Sequence, residues 1–136
     1  MALLLDNDYA RLKELEILYE EDLGTRSLVL RNWALLTDLY TVSRCDVLVV
    51  IPENYPDDGN DMLWTSPMLV RKDGKAIPAL SGPGAGENRK YGGSEFSRWS
   101  RHWNTASTKW RAGKDDVDSI LRRLHWALEN PDADRP

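Results

Sequence analysis

Between positions 97 and 111 the chain reads Ser97-Arg98-Trp99-Ser100-Arg101-His102-Trp103, followed by Thr105, Ser107, Thr108, Lys109, Trp110 and Arg111. An imidazole titrates near neutrality and can act as base, nucleophile or oxyanion donor. A hydroxyl becomes an acyl acceptor once a base takes its proton. His102, ringed by Ser97, Ser100, Thr105, Ser107 and Thr108, therefore has the parts of a group-transfer site. Arg98 and Arg101 supply cations suited to the acidic or carboxylate end of an acyl group. Which side chains meet depends on local structure. In a helix Arg98, Arg101 and His102 share a face while Ser100 points elsewhere. In an extended segment Arg98, Ser100 and His102 share one, and a Ser–His pair becomes possible. The candidate catalytic set is His102, Ser100, Arg98 and Arg101, with Trp99 and Trp103 packed beneath. The same residues also suit a satisfied core cluster, since aromatic stripes are more often core than site.

Other chemistries find little support. Cys45 is the only cysteine, so it makes no internal disulfide, and it reads as a small buried hydrophobe at the start of an apolar run. With only His102 and His125 to join it, no Cys/His set has metal-ligand spacing, and no metal or cofactor is expected. His125, beside Trp126 on an apolar stripe, reads as structural. Gly82-Pro83-Gly84-Ala85-Gly86 lacks the Gly-Lys-Ser/Thr ending of a phosphate-binding loop. Any ATP chemistry therefore belongs to a partner.

The elements that must position these residues come from 136 residues, the size of one domain with one core. Apolar residues at 41% and charged residues at 29% argue for a globular fold and against disorder. The longest apolar runs, Leu3 to Leu5 and Val47 to Ile51, are far too short to span a bilayer, so a cytoplasmic protein with no membrane partner is expected. The net charge of −4 hides an asymmetry: residues 1–66 carry −8 and residues 67–136 carry +4. Such polarity suits steering between protein partners, and the overall sign disfavours a nucleic-acid binder. A single-strand platform over Arg89 to Arg111, with its tryptophans and cations, is the minor rival.

Tyr9, Leu12 and Leu15 form one stripe, predicting a helix near 7–15 capped by Asp6 or Asp8. Alternation through Leu15, Ile17 and Tyr19, then the Val/Leu-rich stretch Arg26 to Trp33, predicts a hairpin; the rival extends the helix to Asp22. Asp46 to Ile51 reads as a central strand, ended by Pro52. A proline-rich turn over 52–60 leads to another strand from Asp61. Asp73-Gly74 marks a turn and 81–86 a flexible loop. Ser94 is read as the N-cap of a short helix carrying Phe96, Trp99 and Trp103. Asp115 to Glu129 is the clearest helix, stopped by Asn130-Pro131, with a frayed tail from Asp132 to Pro136. Together these give an α+β domain with helices on one side of an antiparallel meander.

The order of segments resembles a known superfamily. A strand ending Ile51-Pro52, then Asn54-Tyr55-Pro56, then Asp61-Met62-Leu63-Trp64 and Pro67, resembles the strand, tyrosine-proline turn and next strand of ubiquitin-conjugating enzymes. Trp110, a spacer, a helix from Val117 to Leu128 and Asn130-Pro131-Asp132 resemble their closing segments. Pro56-Asp57-Asp58, Arg98-Trp99-Ser100-Arg101-His102 and Trp110 look more specifically like the prokaryotic ubiquitin-conjugating family E, over roughly residues 7–130.

The resemblance implies a ubiquitin-conjugating (UBC) fold in one domain over residues 1–136, with a ubiquitin-like protein and an activating-enzyme-like adenylating enzyme as partners. It also exposes a departure. Ordinary members carry His-Pro-Asn followed by a catalytic cysteine, and neither occurs between Trp64 and Trp110. Two readings follow: a conjugating enzyme with a non-cysteine site centred on His102, or a catalytically inactive fold that holds a ubiquitin-like protein or an activating enzyme.

Overall fold

The computed structural model describes residues 2–35, 38–103 and 105–133. Its elements run α1 (Asp6–Glu14), β1 (Tyr19–Asp22), β2 (Ser27–Ala34), β3 (Arg44–Val50), β4 (Leu63–Ser66), β5 (Arg89–Tyr91), β6 (Ser94–Trp99) and α2 (Val117–Glu129). Six antiparallel strands form one sheet in the order β1-β2-β3-β4-β6-β5.

Helix α1 begins one residue earlier than its apolar stripe suggests, because Leu5 is the N-cap and Asp6 and Asp8 lie in the first turn. Asp8 caps from inside the helix: Oδ2 accepts the Leu5 N–H at 3.1 Å. The same buried carboxylate accepts the Tyr55 hydroxyl at 2.8 Å and the Val117 N–H at 3.2 Å. One side chain thus joins α1, the tyrosine-proline turn and the start of α2. Burial, and the hydrogen bond to Asp8, hold the Tyr55 phenol well above its ordinary range. Asp8→Ala strands three donors and is expected to cost about 2–4 kcal/mol in urea unfolding, with Asp8→Asn recovering part of it. An unchanged midpoint would show that the three donors find other acceptors.

The hairpin reading holds and the extended-helix rival does not. The chain leaves α1 through Glu16 at φ 57° and enters β1, which pairs with β2 from Tyr19↔Leu30 to Asp22↔Ser27. Leu28 and Leu30 of β2, Val47 and Val49 of β3, Leu63 of β4 and Trp99 of β6 share one buried cluster with Leu12 of α1 and Ile120, Leu121 and Leu124 of α2. The β2–β3 register shifts between Leu30 and Trp33, with Asn32 at φ 57°. This bulge re-aims Trp33 into the helix-side core, where its ring lies 4.7 Å from that of His125.

The opposite face carries a smaller cluster of Val29, Leu48, Trp64 and Phe96. The sheet curls around it until its outer strands meet. Tyr91 of β5 donates its hydroxyl to Glu20 of β1 at 3.0 Å, and the Arg31 guanidinium lies 5.1 Å from the Tyr91 ring centroid. Arg31 also reaches Glu20 at 2.6 Å and Asp46 at 2.9 Å.

Three expectations need correction. The segment from Ser94 is strand β6, not a helix: Phe96 packs on the curled face and Trp99 in the helix-side core, so burial on both faces mimics helical spacing. Gly92 and Gly93, both at positive φ, make the β5–β6 turn. The meander stops at β4, because residues 67–88 carry the chain past it and β6 returns between β4 and β5. The tail is held at its start: the Arg71 guanidinium binds the Asp132 carboxylate, and Arg101 donates to the Asn130 and Ala133 carbonyls. Residues 134–136 lie outside the described residues.

Candidate functional site

The site is built on the tyrosine-proline turn. Tyr55 is anchored on Asp8, and Trp110 donates its indole N–H to the Pro56 carbonyl at 2.7 Å. The Trp110 ring lies directly on Gly59, where an added Cβ would come within 2.0 Å of Cε3. Glycine is required here for close approach of the ring. The turn is thereby pinned just before Asn60 and Asp61 enter β4.

Asp61 receives the two residues that follow β6. His102 Nδ1 lies 3.0 Å from Oδ1 and 3.2 Å from Oδ2 of Asp61. The Trp103 indole N–H donates to the Asp61 carbonyl at 2.6 Å. The imidazole and the carboxylate are both about half exposed, at 51% and 59%. With the proton on Nδ1 donated to Asp61, Nε2 presents a lone pair, the arrangement that lets an imidazole act as an oriented base.

Behind this pair Arg123 of α2 lies between two indoles, 5.4 Å from the Trp103 centroid and 5.2 Å from that of Trp110. It donates to the Asn60 and Thr108 carbonyls, tying the turn to the 105–108 loop. Burial lowers its affinity for the proton, although a guanidinium stays charged. An open cleft of about 560 Å³ is lined by Asp58, Asn60, Asp61, His102, Lys109 and Trp110, among others. That size suits a small ligand or a short chain end.

The four residues singled out in the sequence are not brought together. His102 is in the cleft. Arg101 is 2% exposed and holds the C-terminal segment. Arg98, on the β6 face that carries Phe96, lies 3.4 Å from Glu87 across the 81–88 loop. The Ser100 N–H donates to the Ala79 carbonyl, and the extended Ser–His arrangement does not form: no hydroxyl among the described residues is hydrogen-bonded to His102. Thr105, Ser107 and Thr108 bond to one another instead, Thr105 to Thr108 at 2.7 Å.

Cys45 is buried in the helix-side core, and desolvation pushes its thiol up to about 12. The thiol therefore stays protonated near neutral pH and is covered from reagents. Iodoacetamide is accordingly expected to leave the folded chain unlabelled and to label it in denaturant, read by intact mass; rapid labelling of the folded chain would show Cys45 to be reactive.

The sequence reading missed Asp61, Asn60 and Arg123 as parts of this cleft. Asp61 stood within Asp61-Met62-Leu63-Trp64, but nothing in that motif shows that it meets a histidine 41 positions later. Arg123 lay within an amphipathic helix pattern that gave no sign of a guanidinium between two indoles.

These features are those of a small α+β protein with a curled antiparallel sheet, two helices and an imidazole–carboxylate pair beside a tyrosine-proline turn. The chain belongs to the prokaryotic E2 family E, whose model matches residues 4–131. Membership ties it to bacterial ubiquitin-like conjugation systems and, in general terms, to ubiquitin-like proteins and activating enzymes. No curated protein and no solved structure matches it. No helix among the described residues is long and apolar enough to cross a membrane.

Proposed function

We propose that the chain is the conjugating-enzyme-like component of such a system, with residues 7–130 as the core of one UBC fold and His102 at the centre of a non-cysteine site. The observation that carries the reading is the His102–Asp61 pair, half exposed at 3.0 Å in a cleft next to the turn. In this reading His102 Nε2 takes the proton from a hydroxyl or amine as it attacks the acyl carbon of the activated modifier. Asp61 steadies the imidazolium that forms, and the activating partner's thiolate leaves. The proton on Nε2 then passes to that leaving group. ATP-dependent activation by a partner places the work in the cytoplasm.

A second reading has its own support. Cys45 is buried and no described hydroxyl is bonded to His102, which suits a fold kept to hold a ubiquitin-like protein or an activating enzyme without transferring anything.

Intact mass separates the two. The chain is mixed with its ubiquitin-like protein, the activating enzyme and ATP, then treated with hydroxylamine. A hydroxylamine-labile adduct of one modifier mass, lost in His102→Ala, supports the first reading. Partner binding with neither an adduct nor transfer to an amine supports the second and removes the first.

A further inference from the structure

A second cleft, of about 500 Å³, shares Trp103, Lys109, Trp110 and Arg123 with the first, but Asp58, Asp61 and His102 do not line it. One wall is a single face of α2, because Ser119, Arg122, Arg123 and Trp126 stand at spacings of three, four and seven from the first. The other is the 106–111 segment, which brings in Lys109 and Arg111. Four cations thus line the cleft with one carboxylate, that of Asp115.

That carboxylate is already satisfied. Its Oδ2 accepts the Arg111 backbone N–H at 2.6 Å, and Oδ1 accepts the Arg111 guanidinium and the Ser119 hydroxyl, each at 2.9 Å. The Arg111 guanidinium above all holds the Asp115 carboxyl down at about 2, so the pair is permanently ionised and Asp115 balances Arg111 alone. Lys109, Arg122 and Arg123 are left over. Among the described residues none of these three forms an ion pair. Arg122 touches only the Ser119 hydroxyl, at 3.1 Å, and Arg123 donates to the carbonyls of Asn60 and Thr108. Like charges gathered in a concavity with indole walls focus a positive field on its interior.

The apolar lining narrows the ligand. Trp103 and Trp110 both have Arg123 against their rings, so they are backdrop and not a platform on which bases could stack. Trp126 is partly exposed, and its indole N–H has no acceptor among the described residues. Three cations without a carboxylate suit the dianion of a phosphate monoester better than a singly charged carboxylate. A cleft of this volume holds a whole small molecule, with room beyond the phosphoryl group.

We propose that this second cleft binds a small phosphorylated molecule, its phosphoryl oxygens held by Lys109, Arg122 and Arg123 and the rest of its body lying against Trp126. The site requires neither His102 nor any transfer step.

The test titrates the full chain, labelled with nitrogen-15 and kept at constant ionic strength, with phenyl phosphate, inorganic phosphate and benzoate in turn. The proposal expects a saturable shift of the Trp126 indole N–H with phenyl phosphate. It expects about tenfold weaker binding of inorganic phosphate, which lacks the apolar body, and of benzoate, which lacks the second charge. Lys109 and Arg122 are exposed, so the double variant Lys109→Gln with Arg122→Gln should keep its backbone spectrum while binding phenyl phosphate about tenfold more weakly. No saturable shift at Trp126 overturns the proposal, as does undiminished binding in the double variant. Benzoate bound as tightly as phenyl phosphate would make the cleft an apolar pocket indifferent to phosphate. Inorganic phosphate bound as tightly would make it a site for the free ion. Either result overturns the assigned ligand class, and shifts at His102 without Trp126 would place the probe in the first cleft and overturn the site.

Discussion

His102→Ala is expected to slow transfer of the modifier by about 10²–10⁴-fold, the usual contribution of a positioned general base, while binding of the modifier and the activating enzyme stays within about twofold. The expectation follows from geometry. Asp61 fixes the imidazole through Nδ1, and the ring is half exposed with few packing contacts to lose, so its removal takes away chemistry more than stability. Single-turnover transfer followed by mass spectrometry measures the rate, and calorimetry measures the binding. Asp61→Asn is the graded companion: it keeps the shape and an acceptor for Nδ1, removes the carboxylate charge beside the ring, and should retain more activity than His102→Ala. Equal transfer rates in all three proteins would remove His102 from the mechanism and leave the holding role.

The second large effect is on the turn. Gly59→Ala is expected to destabilise the fold by about 2–3 kcal/mol, a fall of about 10 °C in Tm. The new methyl would lie 2.0 Å from Trp110 Cε3 and 2.5 Å from Cδ2 and Cζ3, distances that no side-chain rotation at residue 59 relieves. The indole must leave. Its N–H then loses the Pro56 carbonyl, and Arg123 loses one of its two flanking rings. Tryptophan emission should shift to longer wavelength as the ring meets water, and transfer should fall with it because the turn positions Asp61. A variant with unchanged Tm and emission would show that the ring has room to slide.

The contrast between these residues shows what the sequence made legible. The helices, the first hairpin and the central strand were readable because each writes a period: one stripe in Val117, Ile120, Leu121, Leu124 and Leu128, a continuous run in Val47 to Ile51. β6 was misread for a physical reason. Its two faces are both buried, one against the helices and one inside the curl, so Phe96 and Trp99 at a spacing of three mimic a helical stripe although they face opposite ways. β5, three residues long, writes no period. His102 was legible because few side chains titrate near neutrality. Its partner was not, since pairing Asp61 with a residue 41 positions away requires the β4–β6 register, Leu63↔Trp99, that brings the two strand ends together. Arg101 was misleading for the opposite reason. Adjacent to His102 in sequence, it leaves the strand end in another direction and grips the carbonyls that follow α2.

The bridge between the outer strands also limits how the protein meets others. An antiparallel sheet ordinarily leaves two open margins along which a foreign strand can zip, the route of much aggregation and of many peptide-binding modules. Here Tyr91, Glu20 and Arg31 draw the two margins toward each other, and Glu20, Glu21 and Asp22 line one of them with charge. A strand adding to either margin would have to part that bridge or sit beside those carboxylates. The bridge and the carboxylates thus stand against extension of the sheet at either margin.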